Sequence, residues 1–289
     1  MKSPVLSILF LLISVTLLAV PNDFRFRHFS VEDGLSSNSV RAIMQDKYGF
    51  LWIGTEEGLN RYDGIMIKSY SICPQAAGKY ISSLYGTKKN IWIGTDEGIY
   101  IYAYATETFT YFDLTTPNNV RITSIVNHIL QDKDGNLWFS TNGQGLFRYN
   151  LSKNYLEQYE FTSAFGIVAS TMADSDNQIW ALTNQGESGV YKLNKAENKF
   201  EPFGLLYNAG NHHSQALAML EDSEQTLWLG TWECGLQKID KYTRQTTTYL
   251  HPTDGKGVTH IHSLMEYAPH QLLIGSDLSL IHISEPTRL

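Results

Sequence analysis

The residues with chemistry to offer gather late in this 289-residue chain. Of the nine histidines, His251, His260, His262, His270 and His282 lie beyond position 250. His260 and His262 stand two apart, so on a strand both rings reach the same face. A metal pair is one reading. No carboxylate or cysteine stands at a companion spacing, however, and polar lining near a channel mouth is the other reading. In "GTWECGL", Trp232 stands beside Glu233. An exposed indole there could stack on a sugar ring while the carboxylate accepts hydroxyl hydrogen bonds; packing against a neighbouring loop is the alternative. His212 and His213 sit in "NAGNHHSQ", which reads as a loop. The pairs Glu56–Glu57 and Asp96–Glu97 read as solvated turn tips and receive no glycosidase role. No H-E-x-x-H, nucleophile elbow, P-loop or dinucleotide fingerprint is present. No catalytic residue, metal or cofactor is therefore assigned.

Composition narrows the partners. Lysine and arginine total 22 against 29 acids, a net charge of -7 with no basic block, which disfavours nucleic acid. At 43% hydrophobic and 18% charged residues the chain can build a packed core. Cys73 and Cys234 are far apart, have no metal-ligand spacing and read as separate thiols.

The elements that must position these side chains are written as a repeat. "FLWIGTEEGLNRYD" from Phe50 returns as "NIWIGTDEGIYIYA", "NLWFSTNGQGLFRYN", "QIWALTNQGESGVYKLN" and "TLWLGTWECGLQKID". The tryptophans fall at Trp52, Trp92, Trp138, Trp180 and Trp228, at spacings of 40, 46, 42 and 48 residues. This period suits a propeller blade of four strands. Each unit reads as an apolar inner strand, a turn opened by Asp46, Asp132, Asp174 or Asp222, the "LWIGT" strand, and a second turn closing at Gly58, Gly98, Gly145, Gly189 or Gly235. A third strand and an alternating outer strand complete it. The repeated indoles read as wedge-filling core. The expected fold is all-β: an incomplete propeller of five blades and, through "QLLIGS", half of a sixth.

With the "D-x-x-G-x-LWIGT-x-x-GL-x-RYD" phrase in view, residues 24–277 resemble the two-component regulator propeller family. That resemblance implies the extracytoplasmic sensor of a hybrid histidine kinase, in which seven-bladed propellers precede a membrane helix and kinase and often detect oligosaccharides. It further implies a periplasmic location, a homodimer in the full-length sensor, and membrane attachment and kinase activity only in segments beyond these repeats. Rival readings are a secreted propeller enzyme acting on polysaccharides and a protein-interaction scaffold.

Two termini stand apart. Residues 1–20, "MKSPVLSILFLLISVTLLAV", read as a signal peptide. Their sixteen-residue apolar stretch spans about 24 Å as a helix, short of a bilayer core of roughly 30 Å. An uncleaved anchor is the alternative. Residues 21–277 form the partial propeller, with "FRFRHFS" expected as a strand completing a blade formed at the other terminus. Residues 278–289, "LSLIHISEPTRL", resemble an in-frame translation of the transposon adapter used in sequencing libraries and read as a non-native tail, with a divergent terminal strand as the alternative.

Overall fold

Runs of four to six residues that are buried on both faces cannot lie on a water-facing sheet; they must be sandwiched between sheets. The second strand of each of the first five units is such a run, and the chain stacks its sheets accordingly. The computed structural model describes residues 27–72, 79–161, 166–183, 189–204, 215–250, 260–277 and 280–284. The leader at 1–20, Phe24 to Phe26, Cys73, His212, His213 and His251 lie outside them, as does the lengthened turn of the fourth repeat at 184–188.

Five antiparallel four-stranded meanders and one three-stranded sheet follow in chain order. Blade one holds β1 (Val40–Gln45), β2 (Leu51–Thr55), β3 (Gly58–Tyr62) and β4 (Ile67–Tyr70). Blade two holds β5 (Ile81–Gly86), β6 (Asn90–Thr95), β7 (Gly98–Ala103) and β8 (Thr108–Tyr111). Blade three holds β9 (Val126–Gln131), β10 (Leu137–Thr141), β11 (Leu146–Asn150) and β12 (Tyr155–Tyr159). Blade four holds β13 (Val168–Ala173), β14 (Ile179–Thr183), β15 (Val190–Asn194) and β16 (Lys199–Pro202). Blade five holds β17 (Ala216–Glu221), β18 (Leu227–Thr231), β19 (Leu236–Ile239) and β20 (Thr246–Tyr249). Blade six holds β21 (Ile261–Ala268), β22 (Gln271–Ser276) and β23 (Leu280–Ser284).

The sixth unit thus gains a third strand, as β23 pairs with β22 from Gln271↔Ser284 to Gly275↔Leu280. Such backbone pairing needs only an extended segment and an open edge, so it bears on the shape of residues 280–284 and not on their origin. The first strands touch in succession from β1 through β5, β9, β13 and β17 to β21, whereas β21 and β1 share no comparable contact. The ring is therefore open between blades six and one. Ile43 on the open side of β1 is 63% exposed, while Ile129 and Thr171 at the matching places are buried. At the N-terminal side, Arg27 donates to the Tyr62 hydroxyl at 2.5 Å and Phe29 packs on the Tyr62 ring with centroids 4.8 Å apart. Residues 27–30 carry no strand and lie against blade one; the rest of "FRFRHFS", expected as a strand in the intact sensor, falls outside the described residues.

Each repeat indole leans into the following blade. Trp52 packs with Ile81, Ile91 and Ile93 of blade two, and Trp138 with Ile179, Ala181 and Leu193 of blade four. All five are 3% exposed or less. A buried indole N–H needs an acceptor, since an orphaned polar group costs about 1–3 kcal/mol. Four repeats supply one six residues upstream: Trp52, Trp138, Trp180 and Trp228 donate through Nε1 to Asp46, Asp132, Asp174 and Asp222 at 2.7, 2.8, 3.0 and 2.7 Å. The same carboxylates accept backbone N–H groups of the turn, as Asp132 does from Asn136 at 2.8 Å. The aspartates read as turn residues therefore clamp the core as well. Blade two lacks the clamp. Its turn is opened by Thr87, whose hydroxyl accepts from the Asn90 N–H at 3.0 Å, and the Trp92 Nε1 has no partner.

On the face carrying these first turns, polar side chains clasp successive blades. Ser175 donates through its N–H and, at 3.0 Å, its hydroxyl to Glu221; Ser223 does likewise to Glu266, both at 2.7 Å. Burial opposes the charge on Lys241, yet bonds to Glu221 at 3.0 Å and Asp176 at 3.1 Å hold its ammonium above the usual lysine range.

Candidate functional site

The opposite face is built from the second turns and the starts of the first strands. In each described turn a threonine hydroxyl donates back to the closing glycine's carbonyl: Thr55 to Gly58 at 3.1 Å, Thr95 to Gly98 at 3.0 Å, and Thr141 to Gly145 and Thr231 to Gly235 at 2.7 Å. The first turn residue is then tied to the start of its own blade. Glu56 N–H donates to Ser39 O at 3.1 Å, Asn142 N–H to Ile125 O at 2.9 Å and Trp232 N–H to Gln215 O at 2.9 Å. Blades three and five have one more turn residue than blades one and two. Their turns reach the next blade, through bridges Asn142↔Ile167 and Trp232↔His260.

The second of these bridges brings the proposed ligand residues together. Trp232 and His260 pack with ring centroids 3.7 Å apart at a 37° tilt, and His262 lies 6.4 Å from the indole and 6.3 Å from His260. Trp232 remains 39% exposed. Packing against the adjacent blade and presentation to solvent, set out as alternatives for this indole, are thus both realised, on its two sides. Glu233 follows in a left-handed backbone conformation with φ 73° and is exposed. Among the described hydrogen bonds and ion pairs its carboxylate has no partner.

One residue escaped the sequence reading. Asp277, at the end of β22, meets both rings: His260 Nδ1 with Oδ2, and His262 Nε2 with Oδ1 at 2.6 Å. This corrects the inference that no carboxylate accompanies the pair. The hairpin register Ile261↔Ser276 places position 277 opposite 260, so carrying the pairing one step outward would have found it. The hydrogen bond from His260, and then that from His262, holds the Asp277 carboxyl below the ordinary aspartate range. Among the described residues no group of three or more His, Cys, Asp or Glu is disposed to hold a metal ion.

The acidic turn pairs are partly engaged. Glu56 pairs with Arg41, which holds its carboxyl below the ordinary range, and Glu97 pairs with Lys79. These ion pairs tie turns to neighbouring strands and leave Glu56 and Glu97 poorly placed to act as a free acid–base couple. Cys234 is buried beneath the blade-five turn.

Inside the ring, first-strand side chains satisfy the next blade's backbone. Ser82 and Ser83 donate to Val126 O at 2.8 and 2.6 Å, and Asn127 to Val168 O at 2.9 Å. His128 differs in kind, since its Nδ1 accepts the Thr171 N–H at 3.5 Å. The ring keeps a little solvent access but is sunk among the inner strands, and this desolvation pushes its pKa down to about 4. The unfolded chain therefore binds a proton here that the folded chain refuses. Stability is expected to fall as pH drops from about 6.5 to 4, by up to about 3 kcal/mol from this group. Urea unfolding at pH 7 and pH 4.5 checks it: His128→Asn should lose less stability between the two than the parent chain.

A family model described as two component regulator propeller matches residues 34–57 and 120–143. Histidine kinase P4 of Formosa agariphila is 46% identical over 68 residues, covering 24% of this chain and 5% of that protein. Among solved structures, the extracellular domain of a putative hybrid two-component system from B. thetaiotaomicron superposes with a TM-score of 0.74 at 23% identity, covering 90% of this chain and 35% of that one. Catalytically inactive virginiamycin B lyase from Staphylococcus aureus superposes at 0.64 with 16% identity, covering 82% and 78%. At these identities both structures speak for the propeller fold alone. The chain spans only a small part of the histidine kinase and about a third of the hybrid two-component-system domain.

Proposed function

We propose, from the two-component regulator propeller repeats that this chain carries, that it is a ligand-sensing part of the extracytoplasmic region of a hybrid two-component sensor kinase. The observation that carries the reading is the 46% identity over 68 residues with a protein named as a histidine kinase, beside the match of residues 34–57 and 120–143 to the propeller-repeat family. The sensed ligand is an oligosaccharide, taken up on the second-turn face where blades five and six meet. Trp232 gives an apolar stacking surface, while His260, His262 and Glu233 surround it with hydrogen-bonding groups. The chain works outside the cytoplasm, in the periplasm, and the full-length sensor is a homodimer. Its output follows from differential binding: a ligand shifts the two arrangements of the sensor only by its difference in affinity for them. Kinase activity belongs to the parent protein.

Titration calorimetry of the exported chain against a panel of oligosaccharides tests this. At least one should bind, and Trp232→Ala should weaken it about tenfold or more, the loss of roughly 1.4 kcal/mol of stacking. Absence of binding across the panel contradicts the reading. Release of cleaved product during the same incubations would favour the polysaccharide-acting enzyme instead.

A further inference from the structure

Resting on that reading, we infer that Asp277 fixes the hydrogen-bonding polarity of the site, so that it selects neutral, hydroxyl-rich rings over carboxylated ones. A carboxylate held below its ordinary pKa is ionised and can only accept hydrogen bonds. Both imidazole atoms that meet it must then be donors: His260 through Nδ1–H and His262 through Nε2–H. A neutral imidazole carries one N–H and one bare nitrogen. In the neutral rings the nitrogens left over, His260 Nε2 and His262 Nδ1, are acceptors, and among the described contacts neither has a protein partner.

These two acceptors lie on rings whose centroids are 6.3 Å apart, next to an indole with one side packed on His260 and 39% of its surface exposed. Two hydrogen-bond acceptors beside an apolar plate ask for a ligand that is flat and apolar on one side and donates hydrogens at its rim. A pyranose ring with free hydroxyls has this form; its C–H face lies on the indole and its hydroxyls donate to the bare nitrogens. A uronate carboxylate has no hydrogen to give. It would also lie in the field of the ionised Asp277 and of the exposed carboxylate of Glu233, and like charges at short range disfavour binding. Asp277 touches no ligand in this arrangement. It is a positioning residue, acting by choosing which nitrogen of each ring carries the proton.

The test has two arms on the intact chain. Nitrogen-15 NMR of the histidine side chains at pH 8 should find the proton on Nδ1 of His260 and on Nε2 of His262, and Asp277→Asn should leave both rings as tautomer mixtures. Calorimetry should find a neutral trisaccharide such as maltotriose or xylotriose bound at least about tenfold more tightly than trigalacturonate, and Asp277→Asn should erase most of that ratio. Tautomer mixtures in the parent chain, or tighter binding of trigalacturonate, would overturn the selectivity while leaving the sensor reading in place. Failure of every saccharide to bind would overturn both.

Discussion

Replacing Asp132 with alanine is expected to remove about 3 kcal/mol of stability, read as a lower urea midpoint at unchanged slope. Three donors would lose their acceptor at once: the Trp138 Nε1–H at 2.8 Å, the Asn136 N–H at 2.8 Å and the Asn136 side-chain amide at 2.9 Å. Trp138 is buried, so no water replaces the carboxylate at the indole. Asp132→Asn should help little. Its single oxygen can serve the turn or the indole, and its amide would then face a second donor. The natural comparison is blade two, where Thr87 opens the turn without reaching the indole. Thr87→Ala should cost about 1 kcal/mol, the value of a modest turn hydrogen bond. Equal losses at Asp132 and Thr87 would mean that the carboxylate–indole bond contributes nothing.

Gly145→Ala should be comparably damaging for a different reason. Gly145 has φ 76°, and a Cβ built on it would sit 2.4 Å from the backbone oxygen of Tyr159. The left-handed conformation alone costs an alanine about 1–2 kcal/mol; the clash with backbone cannot be relieved by a side-chain rotation and brings the total to about 3 kcal/mol or more. Gly49 separates the two effects. Its φ of 87° is also left-handed, but its Cβ would meet only the Gln45 amide at 3.9 Å. Gly49→Ala is expected to cost about 1 kcal/mol by urea unfolding, and a similar cost at Gly145 would show that the hairpin yields to the clash.

Much of this architecture is readable because it is repeated. Five returns of one phrase mark the strands, and a glycine that closes every second turn marks where a side chain has no room. The Asp–Trp clamp was in plain sight as a constant offset of six residues, from Asp46 to Trp52 and from Asp222 to Trp228. It goes unread when aspartate is considered only as a turn former, since turn chemistry explains the residue without needing the indole. The inter-blade clasp of Ser175, Glu221 and Lys241 joins residues 46 and 20 positions apart and carries no local pattern. The site was half legible. Trp232 stands out because it breaks the repeat, and the His260–His262 spacing follows strand geometry. Asp277 is brought in by hairpin register, which a search for nearby spacing overlooks. The open seam beside Ile43 was legible as an incomplete count of repeats, although no single unit shows which side chains it leaves exposed.

Collisional quenching of tryptophan fluorescence by acrylamide tests the central claim, an array of buried wedge indoles with one sensing indole at the rim. The chain has six tryptophans, of which Trp232 alone is substantially exposed. One readily quenched component is expected. Trp232→Phe should abolish it, and a bound oligosaccharide should shield it. Quenching that survives Trp232→Phe undiminished, or that reaches several indoles in the folded chain, would contradict both the packing of the blades and the place assigned to the ligand.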